Sequence, residues 1–261
     1  MLAHAAGALG ALLAAAIGAP LPWLLGGLFA SAALVSAFPA GIDGAPWRPA
    51  NGLRNLFVVV VGVMIGGAFS PDLLRSLPAW GPSLLGLVVY TLGAHLAVYL
   101  AYRRLGLDKA TAWFGAAPGG LIENILLGEQ AGGDVKRITL LQFGRIVAAV
   151  SLVPLGYALW TGGAVGSAAG ERFGAAHGAL GPSDAGVLIL AGLLGFLGAR
   201  ALRVPAGVIV GPVLASAAAH GFGLTAAQVP PDLVALAQLV IGVGLGLRFG
   251  GLAARELALA L

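Results

Sequence analysis

Lys109-Ala110-Thr111-Ala112-Trp113-Phe114-Gly115-Ala116-Ala117-Pro118-Gly119-Gly120-Leu121-Ile122-Glu123-Asn124 opens the stretch that decides how this chain folds. From Lys109 to Gly133 the sequence is apolar, yet Ala117-Pro118-Gly119-Gly120 interrupts it, and Glu123, Asn124 and Glu129 follow. Proline removes a helix donor and glycine carries an entropic cost inside a helix. One helix is therefore expected to stop here and another to start at Leu121. The second would begin at membrane depth with free N–H groups and the positive end of its dipole exposed. An anion, or the carboxylate of Glu123 itself, suits such an end. A plain packing kink would carry the same residues.

The composition around this stretch names its solvent. Hydrophobic residues make up 59% of 261 and charged ones 9%, with a mean hydropathy of +0.97. A soluble domain carries about a quarter charged residues. Fourteen Lys and Arg with ten Asp and Glu cannot cover a globule of this size. Soluble enzymes and free DNA-binding modules are excluded, and the chain reads as an all-α, polytopic membrane protein. The net charge of +4 comes from basic residues scattered over short loops, which suits membrane orientation rather than nucleic acid. With no cysteine there is no disulfide, thiol nucleophile or thiolate metal site. The N-terminal stretch lacks a basic leader region, so it is expected to be a retained helix rather than a cleaved signal.

Apolar stretches of bilayer scale run from about Leu2 to Ile17, Trp23 to Phe38, Leu53 to Phe69 and Ser83 to Tyr102. Another covers Val135 to Trp160, with Asp134 as its N-cap. Three more follow, Ala185 to Ala199, Ala206 to Phe222 and Leu233 to Leu247. Two blocks recur in order. Pro22 through Gly26-Gly27-Leu28-Phe29-Ala30-Ser31-Ala32 matches Pro205 through Gly211-Pro212-Val213-Leu214-Ala215-Ser216-Ala217 with a two-residue insertion. Val61-Gly62-Val63-Met64-Ile65-Gly66 matches Ile241-Gly242-Val243-Gly244-Leu245-Gly246. The expected organisation is a first membrane repeat over 1–160, a linker over 161–184 and a second, incomplete repeat over 185–261.

Charge placement chooses between a crossing and a hairpin for Lys109–Gly133. If the segment crosses, the basic residues divide evenly between the two sides. If it re-enters, Arg48, Arg54, Arg103, Arg104, Lys109, Lys136, Arg137, Arg200, Arg203, Arg248 and Arg255 share one side, and only Arg75 and Arg172 oppose them. Such a bias marks the cytoplasmic side. The reading is therefore about eight transmembrane helices plus a re-entrant helical hairpin, with a cytoplasmic N-terminus. The first repeat then has an odd number of crossings, so the second runs inverted. Inverted repeats with a broken element near the midplane are the architecture of secondary transporters.

An intramembrane carboxylate is a functional hypothesis that needs a named partner. For Glu123 the candidate is Arg145, with Gln142 one turn earlier on the same face. Glu123 could carry a proton or bind a cation, and Arg145 could bind an anionic solute. A purely structural buried pair is the alternative. Pro118, Gly119, Gly120, Glu123, Asn124, Gln142 and Arg145 form the candidate substrate or ion site. Gly62 and Gly66, like Gly242 and Gly246, have the four-residue spacing of close helix packing. His4, His95, His177 and His220 have no metal-ligand spacing, so no metal or cofactor is expected. Neither a phosphate-binding loop nor a nucleophile elbow is present, and no enzyme activity is expected.

Gly18-Ala19-Pro20-Leu21-Pro22-Trp23-Leu24-Leu25-Gly26, Ala116-Ala117-Pro118-Gly119-Gly120-Leu121-Ile122-Glu123 and Asp134-Val135-Lys136-Arg137-Ile138-Thr139-Leu140-Leu141-Gln142-Phe143-Gly144-Arg145 together resemble the AbrB family of bacterial membrane proteins. The resemblance implies a duplicated membrane domain in the inner membrane and a link to regulation of gene expression. Full-length relatives complete the second copy, which here is expected to be cut short. Some members carry a provisional label of ammonia monooxygenase, which would need clustered metal ligands that this chain lacks. A soluble DNA-binding regulator shares the family's name, and this composition excludes its fold. The expected function is a secondary transporter or permease for a small, possibly anionic solute. A membrane-embedded regulator without transport is the alternative, and a structural partner subunit a third reading. The expected partners are the lipid bilayer and a small solute, with no direct nucleic acid, and a homo-oligomer stays open.

Overall fold

The computed structural model describes residues 2–38, 41, 47, 51–162 and 180–249, and every regular element among them is helical. Arg48, Arg172, His177, Arg255 and most of the linker expected over 161–184 lie outside the described residues. The helices are α1 (Leu2–Ala16), α2 (Pro22–Ala37), α3 (Asn51–Gly66), α4 (Pro71–Arg75), α5 (Gly81–Arg104), α6 (Lys109–Ala116), α7 (Leu121–Gln130), α8 (Val135–Thr161), α9 (Pro182–Ala201), α10 (Gly207–Gly221) and α11 (Pro231–Gly246). Short 3-10 turns cover Leu77–Trp80 and Leu247–Phe249.

Among the described residues three stretches are long and apolar enough to cross a membrane: Pro78–Arg104, Val135–Thr161 and Pro182–Ala201. α1, α2, α3, α10 and α11 are apolar but shorter, at 15 or 16 residues. At 1.5 Å per residue they reach about 24 Å. Their boundaries follow local chemistry. Pro22 and Pro231 sit at helix starts, where a missing N–H costs nothing. Asp134 accepts the Arg137 amide at 3.1 Å and so caps α8, as its position predicts. The α4 turn and the 3-10 turn after it were not expected from the sequence.

The described residues form two compact units that do not follow chain order. One draws on Met1–Arg75 and Val153–Leu252, the other on Ser76–Leu152.

In the first unit α1 packs on α2, α2 on α11, α11 on α3, α3 on α10 and α10 on α9. The contacts recur at matching positions. A Cβ at Gly62 would lie 2.9 Å from the Ile209 carbonyl oxygen, and one at Gly242 would collide with that of Leu24. A Cβ at Gly66 would stand 2.5 Å from the Val213 oxygen, and one at Gly246 would collide with that of Leu28. On the outer helices, Cβ atoms at Gly10 and Gly195 would each lie 2.5 Å from a carbonyl oxygen, of Gly26 and Gly211 respectively. Backbone thus meets backbone where α1 and α11 cross α2 and where α3 and α9 cross α10, which only small residues permit.

Two serines complete the pattern. The Ser216 hydroxyl donates to the Val63 carbonyl at 2.7 Å, and Ser31 Oγ lies 3.4 Å from the Val243 carbonyl while donating to Gly27 at 2.7 Å. Both serines are fully buried. Leu21 and Ala206, each ten residues before its serine, hold left-handed backbone at φ 45° and 53°. Such strain costs a non-glycine residue about 1–2 kcal/mol, and it occurs at the same place before α2 and α10. These contacts set Pro20-Leu21 opposite Pro205-Ala206, so the matching needs no insertion, unlike the sequence pairing of Pro22 with Pro205.

In the second unit the Trp113 ring of α6 meets His95 and Tyr99 of α5 edge to face, at centroid distances of 4.5 and 5.5 Å. α6 and α7 have 8 and 10 residues, about 12 and 15 Å, too short to cross a bilayer core of about 30 Å. They fold back on one another, so that a Cβ at Gly128 of α7 would lie 3.2 Å from Phe114 Cβ of α6. The two ends of this hairpin meet. The Asp134 amide, just before α8, donates to Thr111 Oγ1 in the first turn of α6 at 2.8 Å. Asp108 caps α6 by accepting the Thr111 amide at 2.9 Å, and Thr111 is fully buried between the two caps.

Candidate functional site

The site grows from the break between α6 and α7. The last carbonyls of a helix have no partner within it, and Ala117-Pro118-Gly119-Gly120 leaves those of α6 pointing at α8. Gln142 Nε2 donates to the Phe114 oxygen at 2.6 Å and to the Ala117 oxygen at 2.9 Å. Arg145 Nη1 donates to the same Ala117 oxygen at 2.6 Å, and Asn124 Nδ2 of α7 reaches it at 3.2 Å. Three side chains from two helices therefore converge on one backbone oxygen. Gln142 is fully buried and Asn124 nearly so, while Arg145 is half-buried.

Glu123 does something else. It is exposed, in the first turn of α7, and its carboxylate lies over Gly120, where a Cβ would collide with it. The expected ion pair between Glu123 and Arg145 is not formed among the described residues. The reason is dipolar. A cation is favoured at the negative C-terminal end of α6 and an anion at the positive N-terminal end of α7. Each charge serves its own half-helix.

Two polar capacities are left over. Gln142 Oε1 is buried without a hydrogen-bond partner. Its amide cannot be turned to satisfy it, because Nε2 already faces two carbonyls. Arg145 uses one of its five N–H donors on Ala117, and Tyr102 of α5 lies within its electrostatic reach. Among the sequence-selected residues the structure brings Asn124, Gln142 and Arg145 together at the break, with Glu123 on its outer side. Pro118, Gly119 and Gly120 are exposed backbone there. Gly62, Gly66, Gly242 and Gly246 lie in the other unit, at the helix crossings.

Sequence reasoning missed the Ala117 carbonyl, because a backbone atom has no residue type to flag it. It also missed Thr111, although Asp108 three residues earlier is a readable cap signal. No group of three or more His, Asp or Glu residues able to hold a metal occurs among the described residues. His220, nearly buried, places its ring nitrogens 2.8 Å from the Ser216 oxygen and 3.0 Å from that of Ala227.

A strongly apolar chain that is all-helical among its described residues suggests a membrane protein. The model of the family described as "Transition state regulatory protein AbrB" matches residues 35–261, and the chain belongs to the AbrB family. It is similar to a candidate regulator named AbrB from Escherichia coli (strain K12), with 25% identity over 197 residues, 73% of this chain and 54% of that protein. It is also similar to YhjN, an uncharacterized protein of Bacillus subtilis (strain 168), with 26% identity over 140 residues, 52% of this chain and 36% of that protein. The matches thus span about half or less of each relative's length. No solved structure matches the chain.

Proposed function

We propose that the chain is a multi-pass inner-membrane permease for a small anionic solute, with the α6–α7 break as its binding site. The observation that carries this reading is the Thr111–Asp134 hydrogen bond, which joins the two ends of the hairpin. A segment whose ends meet enters and leaves a bilayer on one face. Its broken backbone then lies at membrane depth, where irregular backbone is tolerated only beside protein or a water-filled path. Around that break Arg145 has donors to spare, the start of α7 has no side-chain cap, and Gln142 keeps an unused acceptor. An anionic solute bearing a hydrogen-bond donor matches this set.

The recurring contacts of the first unit support an inverted repeat, with α1–α3 and α9–α11 as its two copies. The eight apolar helices of at least 15 residues among the described residues suit eight crossings with a cytoplasmic N-terminus. A second reading, a membrane-embedded regulator without transport, rests on the name of the Escherichia coli relative. Solute flux into proteoliposomes separates the two. Arg145→Gln and Glu123→Gln, folded as judged by size-exclusion profile, should lose flux under the permease reading. Flux equal to that of protein-free vesicles for the unaltered chain across a panel of small carboxylates and phosphates would favour the regulator.

A further inference from the structure

A second cationic locus lies in the first unit, on residues that the broken hairpin does not use. Arg54 stands in the first turn of α3. Its stem crosses α11 at Gly244, with Cδ 3.5 Å from where a Cβ would be. Arg248 follows Gly244 by one turn, just past the end of α11, and is half-buried. Burial and the neighbouring Arg54 charge both hold the Arg248 guanidinium below its ordinary pKa. Two cations share this spot and no carboxylate pairs with either among the described residues. Among the described residues Arg54 Nη2 finds the side-chain oxygen of Asn55, at 3.2 Å, and Arg54 Nε is buried with no acceptor. A buried donor without a partner is costly, and like charges side by side add to that cost.

Packing does not demand the arrangement. By the spacing that relates Gly62 to Gly242, the places of Arg54 and Gly244 fall on Val234 and Met64, both apolar and both in the cluster built on Val63, Leu188 and Val229. The same crossing is therefore made without charge. Nearby, Trp47 packs on the Val35–Val243–Leu247 cluster and donates its indole N–H to the Phe38 carbonyl at 2.7 Å. An indole with an apolar body and a bonded polar edge is typical of a membrane–water boundary.

We propose that Arg54 and Arg248 form a binding site for a phosphate group at the membrane boundary. Two guanidiniums present planar forks of N–H donors that match the oxygens of a phosphate, and a phosphate supplies both the missing acceptor and the missing negative charge. The group is either the headgroup of an anionic phospholipid or a free phosphate compound, and both make the same contacts.

Native mass spectrometry of the full chain in detergent tests the site, with phosphatidylglycerol and phosphatidylcholine offered at equal concentration. Inorganic phosphate and glycerol 3-phosphate are titrated in parallel while thermal stability is followed. The expected result is preferential retention of phosphatidylglycerol, weakened about tenfold or more by Arg54→Gln or Arg248→Gln and unchanged by Arg104→Gln, which alters an exposed cation elsewhere. Stabilisation by the soluble phosphates without lipid preference, lost in the same two variants, also supports the site and assigns it to a soluble ligand. Arg54→Lys, which keeps the charge but not the fork, should bind at an intermediate level. If the glutamine variants do not fold, displacement of phosphatidylglycerol from the unaltered chain by inorganic phosphate still decides. Equal retention of both lipids together with no response to either soluble phosphate overturns the proposal.

Discussion

The two compact units solve the same problem, burying backbone in an apolar setting, by opposite means. In the unit of α1–α4 and α9–α11, helices approach until glycine meets carbonyl, and the polar side chains at the crossings are mainly two serines. In the unit of α5–α8, the backbone is cut at Ala117–Gly120 and its loose carbonyl is held by Asn124, Gln142 and Arg145. At its crossings the first arrangement has little to exchange, since both serine hydroxyls already donate to backbone carbonyls. The second holds its polar groups through side chains that could turn to a solute. The crossings of the first unit hold by backbone contact, the break of the second by side-chain hydrogen bonds.

The sharpest way to break this contrast is to add volume where backbones touch. Gly66→Val or Gly246→Val should cost about 3 kcal/mol or more of stability, through overpacking against carbonyls that cannot move aside. Gly86→Val in α5, where nothing lies within 4 Å of a Cβ, should stay within about 0.5 kcal/mol. Thermal melts of the three variants in detergent make the comparison, and equal shifts would remove the distinction between the units. Next in size is Gln142→Leu, which strips a donor from the Phe114 and Ala117 carbonyls. It should cost about 1–3 kcal/mol and raise hydrogen exchange in α6 and α7 while leaving α10 and α11 protected.

The serines offer a finer test inside the first unit. Ser216 spends its hydrogen on another helix, at Val63, while Ser31 spends it on its own helix, at Gly27. Ser216→Ala should therefore cost about 1 kcal/mol and Ser31→Ala clearly less. The reverse order would mean that the Ser31–Val243 approach at 3.4 Å matters more than its length suggests.

The smallest effect is expected at the hairpin's entry. The Thr111 hydroxyl, followed by backbone amides, holds the Asp108 carboxyl below the usual carboxylate range. A carboxyl with a lowered folded pKa contributes stability that is present above its unfolded value, about 3.9, and lost as pH falls through the folded value. Asp108→Asn keeps the cap and removes the titration. Melts between pH 6 and pH 3 should show a slightly shallower acid decline for the variant, small because solvent screens this exposed carboxyl.

Much of this was legible in the residues. Apolar runs placed all eight longer helices, because a bilayer-scale stretch with few charges leaves little else to form. Pro118-Gly119-Gly120 announced the break, since no helix passes comfortably through those three. Asp134 announced the start of α8. A likeness of α1 to α9 could not be read from residues that are Ala-, Leu- and Gly-rich in both and share no rare one. Its evidence is a pair of contacts, Gly10 to Gly26 and Gly195 to Gly211. The pairing of Glu123 with Arg145 failed for a related reason. An intramembrane carboxylate calls for a cationic partner, but two half-helix dipoles offered each charge a separate partner, and dipoles appear only once the helices are placed.

The central claim is that the Lys109–Gly133 segment returns to the side it came from. The chain has no cysteine, so single cysteines report cleanly. Lys109→Cys and Gln130→Cys place exposed thiols at the start of α6 and the end of α7. Labelling of intact cells with a membrane-impermeant maleimide, before and after permeabilisation, compares them. The hairpin requires both thiols to react alike, shielded in intact cells and labelled once the membrane is opened. Labelling of one from outside and of the other only after permeabilisation would make the segment a crossing, and the account of the broken hairpin as a membrane-embedded site would be contradicted.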